Sequence, residues 1–121
     1  MKVKKAPVVK PIELNTKFLT EFAAINKKRS NELYDTLQVC KTADLVVSLC
    51  EEVGEIAGFV KKAQRDKKNY RKEIGKEIAD VFMYLDLLCT LDGYDFGQLI
   101  VDKFNEVSRR KNSQIKIKRV K

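Results

Sequence analysis

Four acidic residues in two short clusters are the part of this sequence best suited to chemistry. Glu52 and Glu55 lie three residues apart in the first cluster, and Glu77 and Asp80 are spaced in the same way in the second. Residues at i and i+3 share a helix face, so each pair should project from one side of its helix. If the two helices pack together, four carboxylates come close, and such like charges repel unless cations bind between them. Hard cations such as Mg²⁺ prefer oxygen ligands, so the spacing favours a metal site.

Helical phase separates these acids from ordinary surface charges. At 100° per residue, Glu52 falls in the same apolar stripe as Phe59, and Glu77 falls beside Val81. Asp86 falls opposite that stripe, where a solvated acid is expected. An isolated ionised carboxylate on a packing face costs several kcal/mol or more. The position of the acids therefore favours a metal or catalytic site, with buried salt bridges to lysine as the alternative.

Charge and composition narrow the chemistry further. The formal net charge is +8, from 25 basic and 17 acidic residues, which favours an anionic partner. The basic residues are scattered without a regular stripe, so a solvated surface is an equally good interpretation. Histidine is absent, which excludes Ser-His-Asp and Cys-His catalysis and the Glu-x-x-His pairs of di-iron helix bundles.

Apolar periodicity predicts an all-α domain around these acids. Helices are expected over about 15–29, 42–64, 70–91 and 95–111, with a short apolar segment after a break at Ser30-Asn31. Gly93 should end the third of these helices as a C-cap residue. These features predict a four- to five-helix bundle.

Both ends of the chain differ in composition from this domain. Residues 1–11 are predicted to be a basic flexible arm, residues 12–112 the domain, and residues 113–121 a basic C-terminal tail. Residues 114–118 alternate like a strand, but an isolated strand rarely stands alone. We therefore interpret this segment as a tail.

Three widely spaced cysteines, Cys40, Cys50 and Cys89, show no CxxC spacing. Structural disulfides and a zinc site are not expected. Small, reduced, largely buried thiols are typical of a cytoplasmic protein, and neither a signal-peptide pattern nor an apolar run of membrane-spanning length is present. We predict a cytoplasmic location and no membrane partner.

The acidic clusters and their flanks resemble a known family. The pattern EExxE, about twenty residues, then ExxD reads here as EEVGE at 51–55 and EIAD at 77–80. The flanking segments LVVSLCEEVGEIAGFVKK and EIADVFMYLDLLCTLDGYDFGQLIVDKFNEVSRR extend the likeness from about 40 to 110. This part of the chain resembles the all-α nucleoside triphosphate pyrophosphatases of the MazG-like superfamily.

The resemblance implies an enzyme that converts a nucleoside triphosphate to the monophosphate and pyrophosphate with Mg²⁺ or Mn²⁺. By motif match, the metal ligands would be Glu52, Glu55, Glu77 and Asp80. The family fold implies a helical bundle whose active site is completed by oligomerisation, as a homodimer or a homotetramer. The substrate is predicted to be a deoxynucleotide such as dGTP, dCTP or dUTP, in nucleotide-pool control.

Phosphoanhydride hydrolysis also assigns roles to other residues. Glu52 or Glu55 could act catalytically by orienting or deprotonating the attacking water. Side chains predicted to bind phosphate or sugar are Lys61, Arg65, Lys68, Lys103, Asn105 and Arg109. A solvated surface charge is an equally good interpretation of each basic residue among them. Tyr34, Phe18 and Phe22 are possible base-stacking groups, although core packing is the better interpretation of each.

Three other functions stay open at this point. A basic helical nucleic-acid-binding module would explain the net charge, but the acidic clusters would repel phosphate, so a nucleic-acid partner is not expected. A member of the family that binds nucleotides without cleaving them is a second alternative. A phosphoribosyl-ATP pyrophosphatase is the nearest enzymatic rival.

Overall fold

A computed structural model of the chain describes residues 9–34 and 41–121. The helices of this part are α1 (Lys17–Tyr34), α2 (Thr42–Asp66), α3 (Arg71–Asp92) and α4 (Phe96–Arg110), and the strands are β1 (Ile12–Asn15) and β2 (Ile117–Val120). The predicted all-α class is confirmed, because the only sheet in these residues pairs two four-residue strands. No helix in these residues has the length and apolar character that crossing a membrane requires.

The described residues form two compact units. The terminal unit joins residues 9–21 to Asp95–Lys121, and the helical unit comprises the described part of Phe22–Tyr94. The boundary falls within α1. The acidic clusters belong to the helical unit, and both strands belong to the terminal unit.

In the helical unit, α2 packs against α3, and contacts join the two helices at both ends. Lys67, with a φ of 51°, ends α2 in a left-handed conformation. Across the short connection the rings of Phe59 and Tyr70 lie 5.7 Å apart between centroids. At the opposite end Thr42 Oγ1 donates a hydrogen bond of 2.7 Å to Asp92 Oδ1. These contacts fix how α2 and α3 lie against each other, and so place the acidic clusters.

The first helix is longer than predicted. α1 continues through Ser30 and Asn31 to Tyr34, so the break predicted at residues 30 and 31 is wrong. Serine and asparagine reduce helix stability by only a few tenths of a kcal/mol relative to alanine, and tertiary packing overrides such a preference. Ser30 is in fact buried. The rest of the predicted segment, residues 35–37, lies outside the described residues.

Burial corrects the expectation for Asp86. Its side chain is only 1% exposed, although helical phase placed it on a solvated face. The prediction considered a single packing face on α3. However, α3 also contacts α1, where Phe22 and Phe82 meet with ring centroids 5.3 Å apart and Asn26 donates a hydrogen bond to Asp86. A helix with neighbours on two sides buries positions that one stripe would leave in water.

In the terminal unit, β1 and β2 form a parallel pair. Ile12 is in register with Ile117, and Asn15 with Val120. The alternation near residue 115 thus reflects a real strand, whose partner precedes the first helix. Asn105 on α4 holds β2 in place, since its side chain donates to Ile117 O and accepts from Ile117 N, both at 2.8 Å.

Arg119 on β2 joins three elements of the terminal unit. Its guanidinium donates to both carboxylate oxygens of Asp95, at 2.7 and 2.9 Å. Its Nε donates to Thr16 Oγ1 at 2.7 Å, and a further bond reaches Gln98 Oε1. Gly97 on α4 leaves room for this arrangement, because a Cβ there would lie 2.9 Å from Arg119 Nη2 and from Thr16 Cβ.

The cysteine prediction holds in part. Cys50 and Cys89 are free thiols, and burial raises the pKa of Cys89. Cys50 is exposed on α2, so the expectation of largely buried thiols is wrong for it. Cys40 lies outside the described residues.

Candidate active site

The packing of α2 against α3 brings three acidic side chains together. One carboxylate oxygen each from Glu52, Glu55 and Glu77 lies within 4.8 Å of the other two. Two oxygens bound to the same Mg²⁺ are at most about 4.2 Å apart, because each lies about 2.1 Å from the ion. The separation of these oxygens is therefore only slightly larger than that of oxygens that share one small divalent cation.

Two of the three side chains in this group have a buried oxygen without a hydrogen-bond partner. Glu52 Oε2 and Glu77 Oε2 are buried and have no hydrogen-bond partner. The nearby Glu77 carboxyl raises the pKa of Glu55, and the nearby Glu52 carboxyl raises the pKa of Glu77. Both shifts have the direction expected when like charges face one another without a cation. Buried polar atoms without a partner are rare in native proteins and call for an explanation, which a bound metal ion would supply.

Asp80, the fourth predicted ligand, stands slightly apart. It follows Glu77 by one helical turn and is not among the three oxygens grouped within 4.8 Å. Its charge nevertheless contributes to the raised pKa values of Glu55 and Glu77. Asp80 also lines a cleft of the helical unit, so it lies at the edge of the acidic group.

The cleft beside Asp80 has a volume of about 560 Å³ and is lined by side chains of α1, α2 and α3. Tyr84 lies in its wall one turn after Asp80. Burial raises the pKa of Tyr84, and the charges of Glu52 and Asp80 raise it further. The phenol therefore stays protonated between the acidic group and the cleft. Ligand pockets typically have volumes of 300–1,000 Å³, so this cleft could hold a nucleoside.

The predicted base-stacking groups occupy different environments. Tyr34 lines the cleft and is 72% exposed, so core packing is the wrong interpretation for it. Phe18 is also exposed, at 65%. Phe22, in contrast, packs against Phe82 as a core residue would.

The predicted phosphate-binding residues fall into two groups. Lys61, Arg65 and Lys68 are exposed along the end of α2 and its connection to α3, and Arg65 is paired with Asp66 at 2.8 Å. The other group, Lys103, Asn105 and Arg109, belongs to the terminal unit. In that unit Lys103 pairs with Glu106 at 3.1 Å, and the side-chain amide of Asn105 is engaged by Ile117.

Sequence reasoning missed the polar residues of the cleft wall. Asn26, Arg29 and Ser48 line it beside Asp80 and Tyr84. Asn26 follows Phe22 by four residues, so it shares the apolar face of α1. The signal that identified the acidic clusters, a polar residue within an apolar stripe, would also have identified Asn26.

Part of the chain is similar to a known protein family. The family model of the MazG nucleotide pyrophosphohydrolase domain matches residues 41–114, more than half of the chain. The match contains all four predicted metal ligands and both helices that carry them. No curated protein and no solved structure shows a significant match.

Proposed function

Because the chain belongs to the MazG nucleotide pyrophosphohydrolase family, we propose that it hydrolyses a nucleoside triphosphate to the monophosphate and pyrophosphate. The observation that carries this proposal is the group of Glu52, Glu55 and Glu77 oxygens within 4.8 Å of one another. A triphosphate and a group of carboxylates are both anionic. They can share one site only when cations lie between them.

Mg²⁺ or Mn²⁺ is the proposed cofactor, with Glu52, Glu55, Glu77 and Asp80 as ligands. The donor set fits a hard cation, since it contains only carboxylate oxygens, and two of these are buried without a partner. When bound, the cation supplies Lewis-acid polarisation of the phosphoanhydride and lowers the pKa of water. Neither contribution requires histidine, which the chain lacks.

The protein side chains then position the reaction and accept a proton. Water attacks the α-phosphorus in line, and the bond from that phosphorus to the pyrophosphate oxygen breaks with its electron pair. Glu52 or Glu55 accepts the proton released by the water. Lys61, Arg65 and Lys68 are proposed to stabilise the departing pyrophosphate. The proposed substrate is a deoxynucleotide, such as dGTP, dCTP or dUTP.

A homodimer or homotetramer is proposed because α2 carries an exposed apolar stripe. Val46, Val53 and Val60 recur at seven-residue spacing with exposures of 40%, 50% and 41%. Residues so spaced fall on one side of a helix, as in a helix–helix seam. Sedimentation velocity should detect this assembly, and a monomer at micromolar concentration would contradict it.

A substrate panel tests the proposed activity. Each NTP and dNTP, and phosphoribosyl-ATP, is incubated with Mg²⁺, with Mn²⁺ and with excess EDTA, and the products are separated by anion-exchange chromatography. Monophosphate and pyrophosphate should appear only with metal. Absence of turnover of any substrate overturns the enzymatic proposal, and nucleotide binding without turnover would then identify a non-catalytic member of the family.

A variant of the protein tests the alternative that it is a nucleic-acid-binding module. The double variant Glu52→Ala and Glu77→Ala removes two proposed ligands and leaves every basic residue in place. Salt-sensitive DNA retention that survives this change, in a protein without hydrolase activity, would favour a basic binding module.

A further inference from the structure

One residue of the cleft wall, Asn26, belongs to a buried polar pair. Asn26 on α1 is 3% exposed, and Asp86 on α3 is 1% exposed. Asn26 Nδ2 donates to Asp86 Oδ2 at 2.9 Å and to the backbone oxygen of Met83 at 3.1 Å. Asn26 lines the cleft that Asp80 also lines, so one member of the pair shares this cleft with a proposed metal ligand.

These two hydrogen bonds fix the orientation of the Asn26 amide. A backbone carbonyl and a carboxylate both accept hydrogen bonds, so the NH₂ group of the amide must face them. Both of its N–H bonds are then used. The polar atom that Asn26 can still offer to the cleft is the acceptor Oδ1.

A donor lies next to this acceptor. Arg29 follows Asn26 by three residues, so both side chains share one face of α1, and Arg29 also lines the cleft. One of its five N–H donors contacts Met83 Sδ at 3.4 Å. The wall thus combines an amide acceptor with a guanidinium donor. Arginine commonly donates to the carbonyl oxygen of a base, as in its contacts with guanine O6.

From this geometry we infer that Asn26 determines base specificity by accepting, through Oδ1, a hydrogen bond from a ring N–H of the base. Arg29 donates to the carbonyl oxygen next to that N–H. In this placement the ring nitrogen of cytosine or adenine, which carries no hydrogen, would face Oδ1 as a second acceptor. The preferred substrates are therefore oxo bases with the N–H and C=O edge of guanine, hypoxanthine and uracil. Asp86 is a positioning residue that keeps the amide of Asn26 in this orientation. This inference rests on the proposed function, because it assumes that the base of the triphosphate enters the cleft.

The burial of Asp86 supports a positioning role. Burying a carboxyl group is costly, and apolar residues in its place are often neutral or stabilising. Such a residue is best explained by the orientation that it imposes on its partner. Burial also raises the pKa of Asp86, and the bond from Asn26 acts against that shift.

Matched substrate pairs provide the test. dUTP and dCTP differ in an oxo or amino group at position 4 and in the adjacent N–H, and dITP and dATP differ in the same way at position 6. In each pair kcat/KM should be about 10-fold higher for the oxo member. Asn26→Ala should reduce this ratio to within about 2-fold of unity, mainly by slowing the oxo substrates.

The two variants of Asp86 separate positioning from general stability. Asp86→Leu removes the acceptor and lets the amide of Asn26 rotate, so the ratio should fall by about 5- to 10-fold. Asp86→Asn keeps an oxygen that can accept the same bond and should restore most of the preference. A loss of folded protein lowers both rates by one factor and leaves their ratio unchanged. A ratio that is unaltered in Asn26→Ala, or equal in both Asp86 variants, overturns the inference.

Binding measurements separate this inference from the proposed activity. Calorimetry with the non-hydrolysable α,β-imido analogues of dUTP and dCTP should show the same preference in wild-type protein. If dUTP is not hydrolysed but its analogue binds preferentially and loses that preference in Asn26→Ala, the proposed function fails and the base contact stands. If the wild type binds both analogues equally or neither, the base contact is wrong.

Discussion

The ion pair of Arg119 with Asp95 in the terminal unit contrasts with the acidic group of Glu52, Glu55 and Glu77 in the helical unit. Arg119 is 9% exposed by side chain and binds Asp95 through two bonds. In the helical unit the buried oxygens of Glu52 and Glu77 have no partner. The opposite electrostatic effects reflect this difference, since Arg119 lowers the pKa of Asp95 while Glu52 raises the pKa of Glu77.

This difference indicates which charges stabilise the fold and which are available for function. The partners of a fully paired buried ion fix its orientation. Removing one partner leaves an uncompensated charge. A group of unpaired carboxylates disfavours the folded protein until a cation arrives. The ion pair of Arg119 with Asp95 therefore stabilises the terminal unit, whereas the acidic group is the part of the helical unit that we propose binds a cation.

The largest expected effect is on catalysis, through Glu77→Gln. This change keeps the shape of the side chain and removes one proposed metal ligand. Since metal-ion catalysis contributes several kcal/mol to the transition state, pyrophosphate release should fall on the order of 10³-fold. Without metal the variant should melt at a higher temperature than wild type, because one repelling charge is gone. Product assays and thermal melts in Mg²⁺ and in EDTA measure both effects.

Glu73→Gln is the matched control for this change. Glu73 lies on the same helix one turn earlier, and it is exposed. Its loss should change the rate by less than about 2-fold, as expected for a surface substitution away from a site. Undiminished activity in Glu77→Gln would show that the acidic group does not bind a catalytic ion.

The sequence was sufficient to predict the helices that carry the acidic group. α2 and α3 have uninterrupted apolar periodicity and clear ends, and the Gly93 C-cap is confirmed by a φ of 77° and a bond from Gly93 N to Cys89 O. The closeness of Glu52 to Glu77 also follows from their shared position on packing faces. Periodicity within each helix is enough for this prediction, because it identifies the apolar contact face on which the acidic residue lies.

Two other features depend on partners that are distant in sequence. The strand at Ile117–Val120 pairs with Ile12–Asn15, more than 100 residues away, and nothing within either segment identifies the other. Asp86 is likewise buried only because Asn26 on another helix faces it. Periodicity within one helix cannot show a second neighbour. The ion pair of Arg119 with Asp95 was therefore not predicted, whereas the closeness of the acidic side chains was.

Gly97→Ala tests how closely the terminal unit is packed around Arg119. Alanine gains about 1 kcal/mol of helix propensity over glycine, but the new Cβ would lie 2.9 Å from both Arg119 Nη2 and Thr16 Cβ. Overpacking costs about 1–3 kcal/mol, so the expected net result is a loss of about 1 kcal/mol in unfolding free energy. Denaturant titration measures it.

Gly75→Ala on α3 is the corresponding control. Nothing lies within 4 Å of a Cβ at Gly75, so this variant should gain about 0.5–1 kcal/mol. If both variants were stabilised equally, Gly97 would have no packing role around Arg119.

The smallest expected effect is that of Asp95→Asn, which removes the negative charge from the ion pair of Asp95 with Arg119. Asparagine is as good an N-cap residue as aspartate, so the bond that Asp95 accepts from Gln98 N can be kept while the charge is lost. At pH 7 the variant should melt about 3 °C below wild type, the scale of an ion pair whose acidic partner is half exposed.

The pH dependence of this difference identifies its cause. Arg119 lowers the pKa of Asp95 below its ordinary value of 3.8, so the folded state binds its proton less tightly than the unfolded state does. The stabilisation is therefore complete above pH 3.8 and is lost as the pH falls through the folded-state pKa. Thermal melts from pH 7 to pH 2.5 should show the two proteins converging below about pH 4. Glu13→Gln removes an exposed carboxylate from β1, and it corrects for the general effect of lost negative charge. A difference that persists unchanged at pH 2.5 would mean that Asp95 acts through its shape and not through its charge.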